Sequence, residues 1–354
     1  MPDTVTAFGP GRVNLIGEHT DYNGGLALPF AISEGVTVTA RATGDETVYA
    51  IASDLEARDR FEIHAVPRVR GWRAFARGAV AELQAAGVPL TGTRLEISGT
   101  VPRGSGLSSS AALEVALCLA LLAVAGTPEP DRLALAQLCS RVENGWVGAQ
   151  TGLLDQIASL FGESDSALRI DFRTLEVTPV SLELGGYSLV TLDSGERHAN
   201  AGRQEGEGGS DDAPTGYNLR RAECAEACRQ LGVDSLREAT SERAARLPAP
   251  LADRVAHVIG ENERVTETVD ALSAGDLERV GELLNASHAS LRDCYAISTP
   301  AVEATVQRLR DAGAIGARIV GGGFGGHVLG LLPPGVAVPD GAIEVRPGPG
   351  ARLL

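Results

Sequence analysis

Lysine is absent from the 354-residue sequence, so all 31 of its basic residues are arginines. This absence excludes mechanisms that need a lysine amine, among them Schiff-base formation, the lysine contact of a P-loop and the strand lysine of protein kinases. Any anion that the protein binds must therefore be held by arginine, backbone N–H groups, a helix N-terminus or a metal ion.

Positive charge and cysteine are both scarce. The net charge of -15 at pH 7 argues against nucleic acid or an anionic membrane as a partner. The five cysteines are dispersed and odd in number, which predicts a reducing compartment and no disulfide framework. Cys224 and Cys228 have no clustered His or Cys with which to complete a metal site, so we interpret them as ordinary helix residues.

Long hydrophobic runs are also missing. The longest one, residues 115–125, is far shorter than the ~20 residues that a membrane span needs, and it predicts a buried core helix. The N-terminus lacks a basic segment followed by an apolar run, so we expect no signal peptide. We therefore expect a cytoplasmic protein without a membrane partner, and we expect a monomer.

Apolar alternation predicts strands in the first half of the chain. Residues 36–43 and 46–53 alternate clearly, and we expect them to pair with each other as a hairpin. A further strand is predicted at 93–102, and strand-like patterns recur at 167–182 and 187–194.

Helical patterns and the glycine-rich segments complete the organisation. Helices are predicted at 73–87, at 108–125, after a capping Asp131, and through most of 217–312. Residues 195–216 are rich in glycine and acid, which predicts a long mobile loop or a partly disordered segment. The pattern predicts an α+β chain of two domains, 1–180 and 181–354, with the active site in the cleft between them.

The segment VPRGSGLSSSAALEVA, residues 101–116, places a glycine turn and three serines between a strand and a helix. Gly104 and Gly106 allow close approach of the backbone to a ligand, and the N–H groups of Ser108, Ser109 and Ser110 are free at the helix start. Such a helix N-terminus suits a phosphate. A serine-capped helix that binds nothing fits the same residues.

The segment GPGRVNLIGEHTDYNGG, residues 9–25, concentrates hydrogen-bonding side chains in a short loop. Arg12, Asn14, Glu18, His19 and Asp21 lie between apolar anchors, which suits a polyol because a sugar needs several fixed donors and acceptors. A solvated turn is the alternative interpretation.

Asp155 follows a Gly-Leu-Leu run and is expected to be a carboxylate in apolar surroundings. Such an aspartate can accept a proton from a hydroxyl. It could equally cap the helix that follows it. Glu143, twelve residues earlier in the sequence, is a candidate ligand for Mg²⁺.

The segment GGGFGG, residues 321–326, matches the dinucleotide pattern G-x-G-x-x-G only weakly. A dinucleotide site needs a helix directly afterwards, whereas HVLGLL is typical of a strand. We therefore expect a glycine-rich hairpin beside the active site.

Three of these motifs together resemble the signature motifs of the galactokinases, within the GHMP small-molecule kinase superfamily. They are GRVNLIGEHTDYNGG (residues 11–25), VPRGSGLSSSAALEVA (101–116) and GARIVGGGFGG (316–326). GLLDQ and GYNLRRAEC are also similar to family segments, and the resemblance extends from residue 8 to residue 332. It implies a two-domain GHMP kinase fold with a mixed sheet in the N-terminal domain and an antiparallel sheet plus helices in the C-terminal domain.

The resemblance also implies an activity and its participants. It implies transfer of the γ-phosphoryl group of ATP, with Mg²⁺, to the anomeric hydroxyl of galactose, the first committed step of galactose catabolism in the Leloir pathway. Asp155 would accept the C1 hydroxyl proton, and Arg12 would stabilise charge on the transferring phosphoryl group. The sugar would be held by Glu18, His19, Thr20, Asp21, Gly152 and Tyr217.

On the nucleotide side, the resemblance implies that the serine segment wraps the phosphates through Gly104, Ser105, Gly106, Leu107, Ser108, Ser109 and Ser110. Ser110 and Glu143 would hold Mg²⁺, and Ser53 matches a further nucleotide position. These roles agree with the needs of phosphoryl transfer, which are positioning and charge neutralisation rather than covalent chemistry.

The sequence departs from the family pattern in the third motif. Ile319 and Val320 stand where Met-Thr is usual, and His327 replaces a small residue. A kinase for N-acetylgalactosamine or arabinose is the alternative within the same class. A non-catalytic sensor of galactose and ATP is disfavoured, because the Ser110-Ala111 pair that family sensors lack is present.

Overall fold

A computed structural model describes residues 4–101, 106–196 and 216–354. Gly104, Ser105 and most of the predicted loop 195–216 lie outside the described residues. The strands of the described part, in chain order, are β1 (Val5–Asn14), β2 (Leu26–Ala27), β3 (Pro29–Ala42), β4 (Thr47–Ala52), β5 (Ala57–Glu62), β6 (Thr93–Gly99), β7 (Ser166–Asp171), β8 (Glu176–Ser181), β9 (Ser188–Asp193), β10 (Gly316–Ile319), β11 (His327–Leu332), β12 (Ile343–Val345) and β13 (Arg352–Leu353).

The helices of the same ranges are α1 (Arg73–Ala85), α2 (Ser109–Val124), α3 (Arg132–Val142), α4 (Leu154–Phe161), α5 (Gly216–Leu231), α6 (Ser241–Ala244), α7 (Leu251–Ala274), α8 (Leu277–Asp293) and α9 (Pro300–Asp311). Asp131 caps α3 as predicted, since its side chain accepts from the N–H groups of Leu133 and Ala134. Within the described part of the chain, no helix is both long and apolar enough to cross a membrane.

The first sheet is mixed and has the order β13-β1-β3-β6-β4-β5. Its β4–β6 pair is parallel and its other pairs are antiparallel. A second sheet, β10-β11-β9-β12, is entirely antiparallel, and a small sheet has the order β2-β7-β8. The α+β architecture with a mixed and an antiparallel sheet is confirmed.

The predicted hairpin between residues 36–43 and 46–53 is wrong. β6 lies between β3 and β4 and pairs with both, while β4 forms its hairpin with β5. Thr93, Leu95 and Ile97 of β6 are buried. A central position in the sheet buries these side chains more completely than an edge position would. Sequence proximity favoured the hairpin, but burial decided the order.

Helix α2 is buried on almost every side and packs across β1 and β3. At its start it lies so close to β1 that a Cβ on Gly9 would be 2.2 Å from the Ala112 carbonyl oxygen. The glycine therefore permits the contact. Each fully buried leucine of α2 contributes roughly 1.5–3 kcal/mol by leaving water. The packing brings the N-terminus of α2 to the end of β1, where the functional residues meet.

Candidate active site

Arg12 enters the site from an irregular part of β1. The β1–β3 register shifts between Pro10 and Arg12, as a β-bulge does when it redirects a side chain. The Arg12 N–H donates to the Leu107 carbonyl at 3.0 Å, so the first motif is tied to the serine segment. The Arg12 side chain is buried, donates through Nε to Asp155 Oδ1 at 2.8 Å and also bonds the Gly106 carbonyl.

Asp155 is a residue of the first turn of α4 and does not cap it. The N-cap of that helix is Leu153, with no side-chain cap. Instead, Asp155 Oδ1 lies 2.5 Å from Arg12 Nη2 in an ion pair, and Asp155 Oδ2 accepts a hydrogen bond from the Ser108 hydroxyl at 2.7 Å. The sequence left two roles open for Asp155, that of a proton acceptor and that of a helix cap. The geometry is against the cap.

The serine segment turns sharply before α2. Ser108 is the N-cap residue and has a left-handed conformation, with φ of 62°. Its hydroxyl donates a hydrogen bond to Asp155 and does not cap the helix. The first intrahelical bond is that of Ala112 N–H to the Ser108 carbonyl at 3.2 Å. Ser109 and Ser110 therefore start the helix with N–H groups that point out of its end, the arrangement that attracts an anion.

Glu18 joins the first and third motifs. Its Oε1 accepts from the Gly321 N–H at 2.8 Å and lies 3.2 Å from Nη2 of Arg318. Arg318 is fully buried and also donates to the carbonyls of Asn14 and Leu15. A Cβ on Gly321, whose φ is +81°, would be 3.1 Å from the Gly106 carbonyl oxygen, so all three motifs meet here.

A pocket opens between these motifs, with about 430 Å³ of empty space that is partly open to solvent. Most of the predicted sugar residues and both predicted catalytic residues line it, namely Arg12, Glu18, His19, Asp21, Gly152, Asp155 and Tyr217. A Cβ on Gly152 would lie 1.9 Å from Asp21 Oδ2, so a larger residue there would displace the Asp21 carboxylate from its place in the pocket. Tyr217, in the first turn of α5, closes the pocket with its ring 5.1 Å from that of His19.

Thr20 does not line the pocket. Its side chain is fully buried, and its hydroxyl lies 2.8 Å from the Gly17 carbonyl and 2.7 Å from the Leu26 carbonyl. The structure thus places Thr20 inside the loop, where it fixes the turn rather than facing a ligand.

Three side chains of helix α7 form hydrogen bonds to the backbone of the same loop. His257 bonds the Glu18 carbonyl at 3.1 Å, Glu261 accepts from the Gly17 N–H at 3.0 Å, and Asn262 accepts from the Leu26 N–H at 2.7 Å. These three side chains occupy one stripe of α7. They fix both ends of the loop that carries Glu18, His19 and Asp21.

Glu143 begins a π-helical turn, Glu143–Val147, that continues from α3. It is buried and accepts from the Thr151 hydroxyl and the Gln156 amide, each at 2.8 Å, and from Ser110. Burial, with the charge of Asp155, raises the pKa of Glu143. Gln156 also donates to Glu114 at 3.2 Å, so its amide bridges two buried carboxyl groups.

Two groups of predicted residues lie outside this cluster. Ser53 is exposed in a 3₁₀ turn, Ser53–Leu55, directly after β4. Because β4 runs parallel to β6, this turn lies at the end from which the chain leads to the serine segment. Ile319 and Val320 are fully buried in hydrophobic cores, so these departures from the family pattern affect packing.

The electrostatics of the pocket are set by burial. Burial, with the charge of Asp155, raises the pKa of Asp21 to about 6. Burial lowers the pKa of His19 to about 3, so its ring is neutral at physiological pH. The pocket therefore combines crowded carboxylates with a neutral imidazole.

Replacing Asp21 with asparagine should stabilise the protein at alkaline pH. The pKa of Asp21 lies above its ordinary 3.8, so the folded state disfavours the ionised form, and this penalty is present above pH 6. Because Asp21 is partly exposed, we expect a gain of about 1–2 kcal/mol at pH 8, shrinking to about half at pH 5. Urea unfolding at both pH values measures it, with the exposed Asp340→Asn as control. An equal gain at both pH values would refute the burial explanation.

Sequence reasoning missed three residues of this site, namely Arg318, Thr151 and Gln156. Arg318 was read as part of a strand, although a charge inside the apolar segment GARIV was a usable signal. Thr151 lines the pocket but carries no pattern of its own. Gly322, which also lines it, belongs to the segment GGGFGG that was expected beside the active site. Gln156 is next to Asp155 in the sequence, but nothing in the sequence indicated that its amide bridges the carboxyl groups of Glu114 and Glu143.

The fold and the site agree with known families. Family models match the chain as GHMP kinases N terminal domain at residues 74–163, as GHMP kinases C terminal at 268–339, and as the galactokinase galactose-binding signature at 2–42. The chain is therefore a GHMP kinase. It is 44% identical to a galactokinase of Mycobacterium tuberculosis over 93% of this chain and 89% of that protein. At that similarity, the chain belongs to the galactokinase family.

Other relatives agree with this assignment. A galactokinase of Thermotoga neapolitana is 38% identical over 92% of this chain and 89% of that protein. The crystal structure of Lactococcus lactis galactokinase complexed with galactose superposes with a TM-score of 0.90 at 32% identity, covering 100% of this chain and 96% of that one. The Methanococcus jannaschii mevalonate kinase, at 17% identity and a TM-score of 0.66, shares the fold.

Proposed function

We propose that this protein transfers the γ-phosphoryl group of ATP to the anomeric hydroxyl of galactose, giving galactose 1-phosphate and ADP. The observation that carries the proposal is that Arg12 and Asp155 line the pocket and bond each other, while Ser108, at the N-terminus of α2, bonds Asp155 from behind. It combines a proton acceptor, a cation and free backbone N–H groups at one place. The galactose-bound Lactococcus relative supports the choice of sugar.

The pocket supplies groups for the sugar on one side. Glu18, His19 and Asp21 from the loop, with Tyr217 from α5, line it, and the backbone of Gly152 lies against Asp21. Carboxylates and an imidazole held in fixed positions discriminate between hydroxyl arrangements, because a misplaced hydroxyl leaves a buried polar group unpaired.

Asp155 is prepared to accept the proton through Oδ2. Oδ1 already bonds two nitrogens of Arg12, whereas among the described residues Oδ2 accepts from the Ser108 hydroxyl alone. The C1 hydroxyl would transfer its proton to Oδ2, its oxygen would bond to the γ-phosphorus, and the bond from that phosphorus to the β-bridging oxygen would break to release ADP. Arg12 lies where it can offset the negative charge on the transferring group.

On the nucleotide side we propose that the segment 104–110 and Ser53 contact ATP. In the described part of this segment, the free N–H groups of Ser109 and Ser110 provide the anion site. The Ser108 hydroxyl is engaged with Asp155, so we assign Ser108 to holding the proton acceptor rather than to a phosphate contact.

Mg²⁺ fits the donor set that Ser110 and Glu143 form. Both offer oxygen ligands, which Mg²⁺ prefers, and it commonly takes only one or two protein ligands together with phosphates and water. Glu143 is buried near Asp155 and Glu114, so a cation would offset an excess of acidic groups. When bound, it would neutralise charge on the phosphates of ATP.

The Ser110→Ala variant should need more Mg²⁺. It removes one oxygen donor and one hydrogen bond to Glu143, so we expect the Mg²⁺ concentration for half-maximal rate to rise about 3- to 10-fold. Titration of the rate with Mg²⁺ at saturating ATP measures this. Ser273→Ala, on the surface of α7, is the matched control, and an unchanged titration in Ser110→Ala would remove Ser110 from the metal site.

The test of the function is sugar-stimulated release of ADP, measured with purified protein against galactose, N-acetylgalactosamine, arabinose, glucose and mevalonate. We expect galactose to give the highest kcat/KM. A preference for N-acetylgalactosamine or arabinose would overturn the choice of sugar. Binding of galactose and ATP without release of ADP would overturn the kinase proposal in favour of a sensor.

A further inference from the structure

The ring of His19 is joined on its buried side to a chain of hydroxyl and thiol groups. His19 Nδ1 lies 2.7 Å from the Tyr22 hydroxyl, which lies 2.9 Å from the Tyr295 hydroxyl, which lies 3.0 Å from Cys224 Sγ. Asn23 Nδ2 approaches the same sulfur at 3.7 Å as a donor. The chain crosses from the loop of the first motif into the helices of the second half.

All three hydroxyl and thiol groups of the chain keep their protons. Burial raises the pKa of Tyr22 and of Tyr295 well above the ordinary value, and it raises the pKa of Cys224 to about 11. Each group therefore has one hydrogen to donate at neutral pH, and the question is in which direction the hydrogens point.

One direction gives each hydroxyl and thiol hydrogen of the chain an acceptor within the chain. The Cys224 thiol donates to Tyr295, Tyr295 donates to Tyr22, and Tyr22 donates to His19 Nδ1. In the reverse direction the thiol hydrogen has no acceptor, because the other group that contacts the sulfur in the described part of the chain is the donor Asn23. A buried donor without a partner is unfavourable, so the first direction prevails.

The opposite side of the His19 ring faces the pocket. His19 lines the pocket and is almost completely buried, and its Nε2 makes no hydrogen bond of ordinary geometry to the described residues; the backbone of Gly322, which lines the same pocket, is a further neighbour of the ring. Because the ring is neutral, it carries one hydrogen, which must be on Nε2 if Nδ1 accepts from Tyr22.

We propose that Tyr22, backed by Tyr295 and Cys224, is a positioning residue that fixes His19 as the Nε2–H tautomer, so that His19 donates a hydrogen bond to an oxygen of the bound sugar. The carboxylates of Glu18 and Asp21 would accept hydrogen bonds from sugar hydroxyls. His19 therefore adds a hydrogen-bond donor to a part of the pocket that otherwise offers acceptors. The chain thereby decides which sugar oxygen must act as an acceptor. The sugar contact rests on the proposed function, but the tautomer does not.

The direct test is an imidazole ¹⁵N correlation spectrum of the full-length protein without ligand, with the His19 signals identified by their loss in His19→Gln. We expect a protonated Nε2 and an unprotonated, accepting Nδ1. A protonated Nδ1, or an even mixture of tautomers, would overturn the proposal. No sugar is present, so this result is independent of whether galactose is the substrate.

Two variants test the role of the chain. Tyr22→Phe should leave Nδ1 without a donor, give a mixture of tautomers and weaken galactose binding about 3- to 10-fold, with kcat at saturating sugar unchanged. Tyr295→Phe should keep the Nε2–H tautomer, because Nδ1 remains the acceptor for the Tyr22 hydroxyl. The matched control is Tyr187→Phe, whose hydroxyl bonds Glu278 on the surface.

The variant outcomes also separate positioning from simple packing. A Tyr22→Phe protein that binds galactose weakly but keeps a pure Nε2–H tautomer would assign Tyr22 a packing role and contradict the proposal. A switch to Nδ1–H in Tyr295→Phe would show that the hydrogens run in the other direction. If Tyr22→Phe does not fold, the wild-type spectrum alone decides.

Discussion

Asp155→Asn should lower kcat by about 100- to 10,000-fold while leaving the Kd for galactose within about 3-fold of the wild-type value. Asparagine retains an oxygen that can accept from Arg12 on Oδ1, so the geometry shown by the 2.8 Å contact is largely preserved. It cannot take up the proton of the C1 hydroxyl. Coupled ADP-release kinetics measure the first effect, and calorimetric titration with galactose measures the second.

Two other carboxylates provide the comparison for this variant. Asp340→Asn, in an exposed surface turn, should change neither quantity. Asp21→Asn should show the opposite pattern, with weaker sugar binding and a smaller loss of kcat, because Asp21 lines the pocket without contacting Arg12 or Ser108. Turnover of Asp155→Asn near the wild-type value would remove Asp155 from the chemistry.

Arg12→Lys should lower kcat about 100- to 1,000-fold even though the positive charge is kept. Arg12 contacts Asp155 through Nε and Nη2 and reaches the Gly106 carbonyl through Nη1. A single ammonium group cannot reproduce these directions. The variant would also place the first lysine in a chain that has none.

A second measurement distinguishes charge from geometry at this position. Arg12→Gln removes the charge and leaves Asp155 without its arginine partner; because the Asp155 side chain is 20% exposed and keeps its Ser108 bond, we expect the free energy of unfolding to fall by about 1–3 kcal/mol. Arg12→Lys should lose less stability than Arg12→Gln. Arg346→Lys, at an exposed ion pair with Glu344, is the control. Equal kcat for Arg12→Lys and wild type would show that charge alone suffices.

The residues nearest the chemistry could be predicted from the sequence because they lie in short motifs whose local structure is strongly determined. The glycine turn before the three serines predicted the start of α2, and the structure begins that helix at Ser109. The segment GGGFGG was expected to form a hairpin, and it connects the paired strands β10 and β11.

Long-range partners could not be predicted in this way. The position of β6 between β3 and β4, and the pairing of Arg318 with Glu18 across 300 residues, depend on tertiary packing that no local pattern records. Ser108 lies within a motif that the sequence singles out, but the partner of its hydroxyl, Asp155, is 47 residues away in the sequence and could not be read from that motif.

The domain boundary stays a proposal. We place it near residue 180, after β8, because the second sheet and most helices follow it. The strand β13 nevertheless pairs with β1, so the segment after residue 345 would belong with the first domain in space.

The stripe of α7 that holds the sugar loop has a consequence for folding. The bonds from His257, Glu261 and Asn262 to the loop join residues 236 to 244 positions apart in sequence. Contacts of such separation carry a large loop-closure entropy cost, so they are not made by the first half of the chain alone. The loop therefore depends on α7 for its shape, so sugar recognition is a property of the whole chain, and we expect a fragment that ends before residue 251 to carry the first motif without the side chains that hold it.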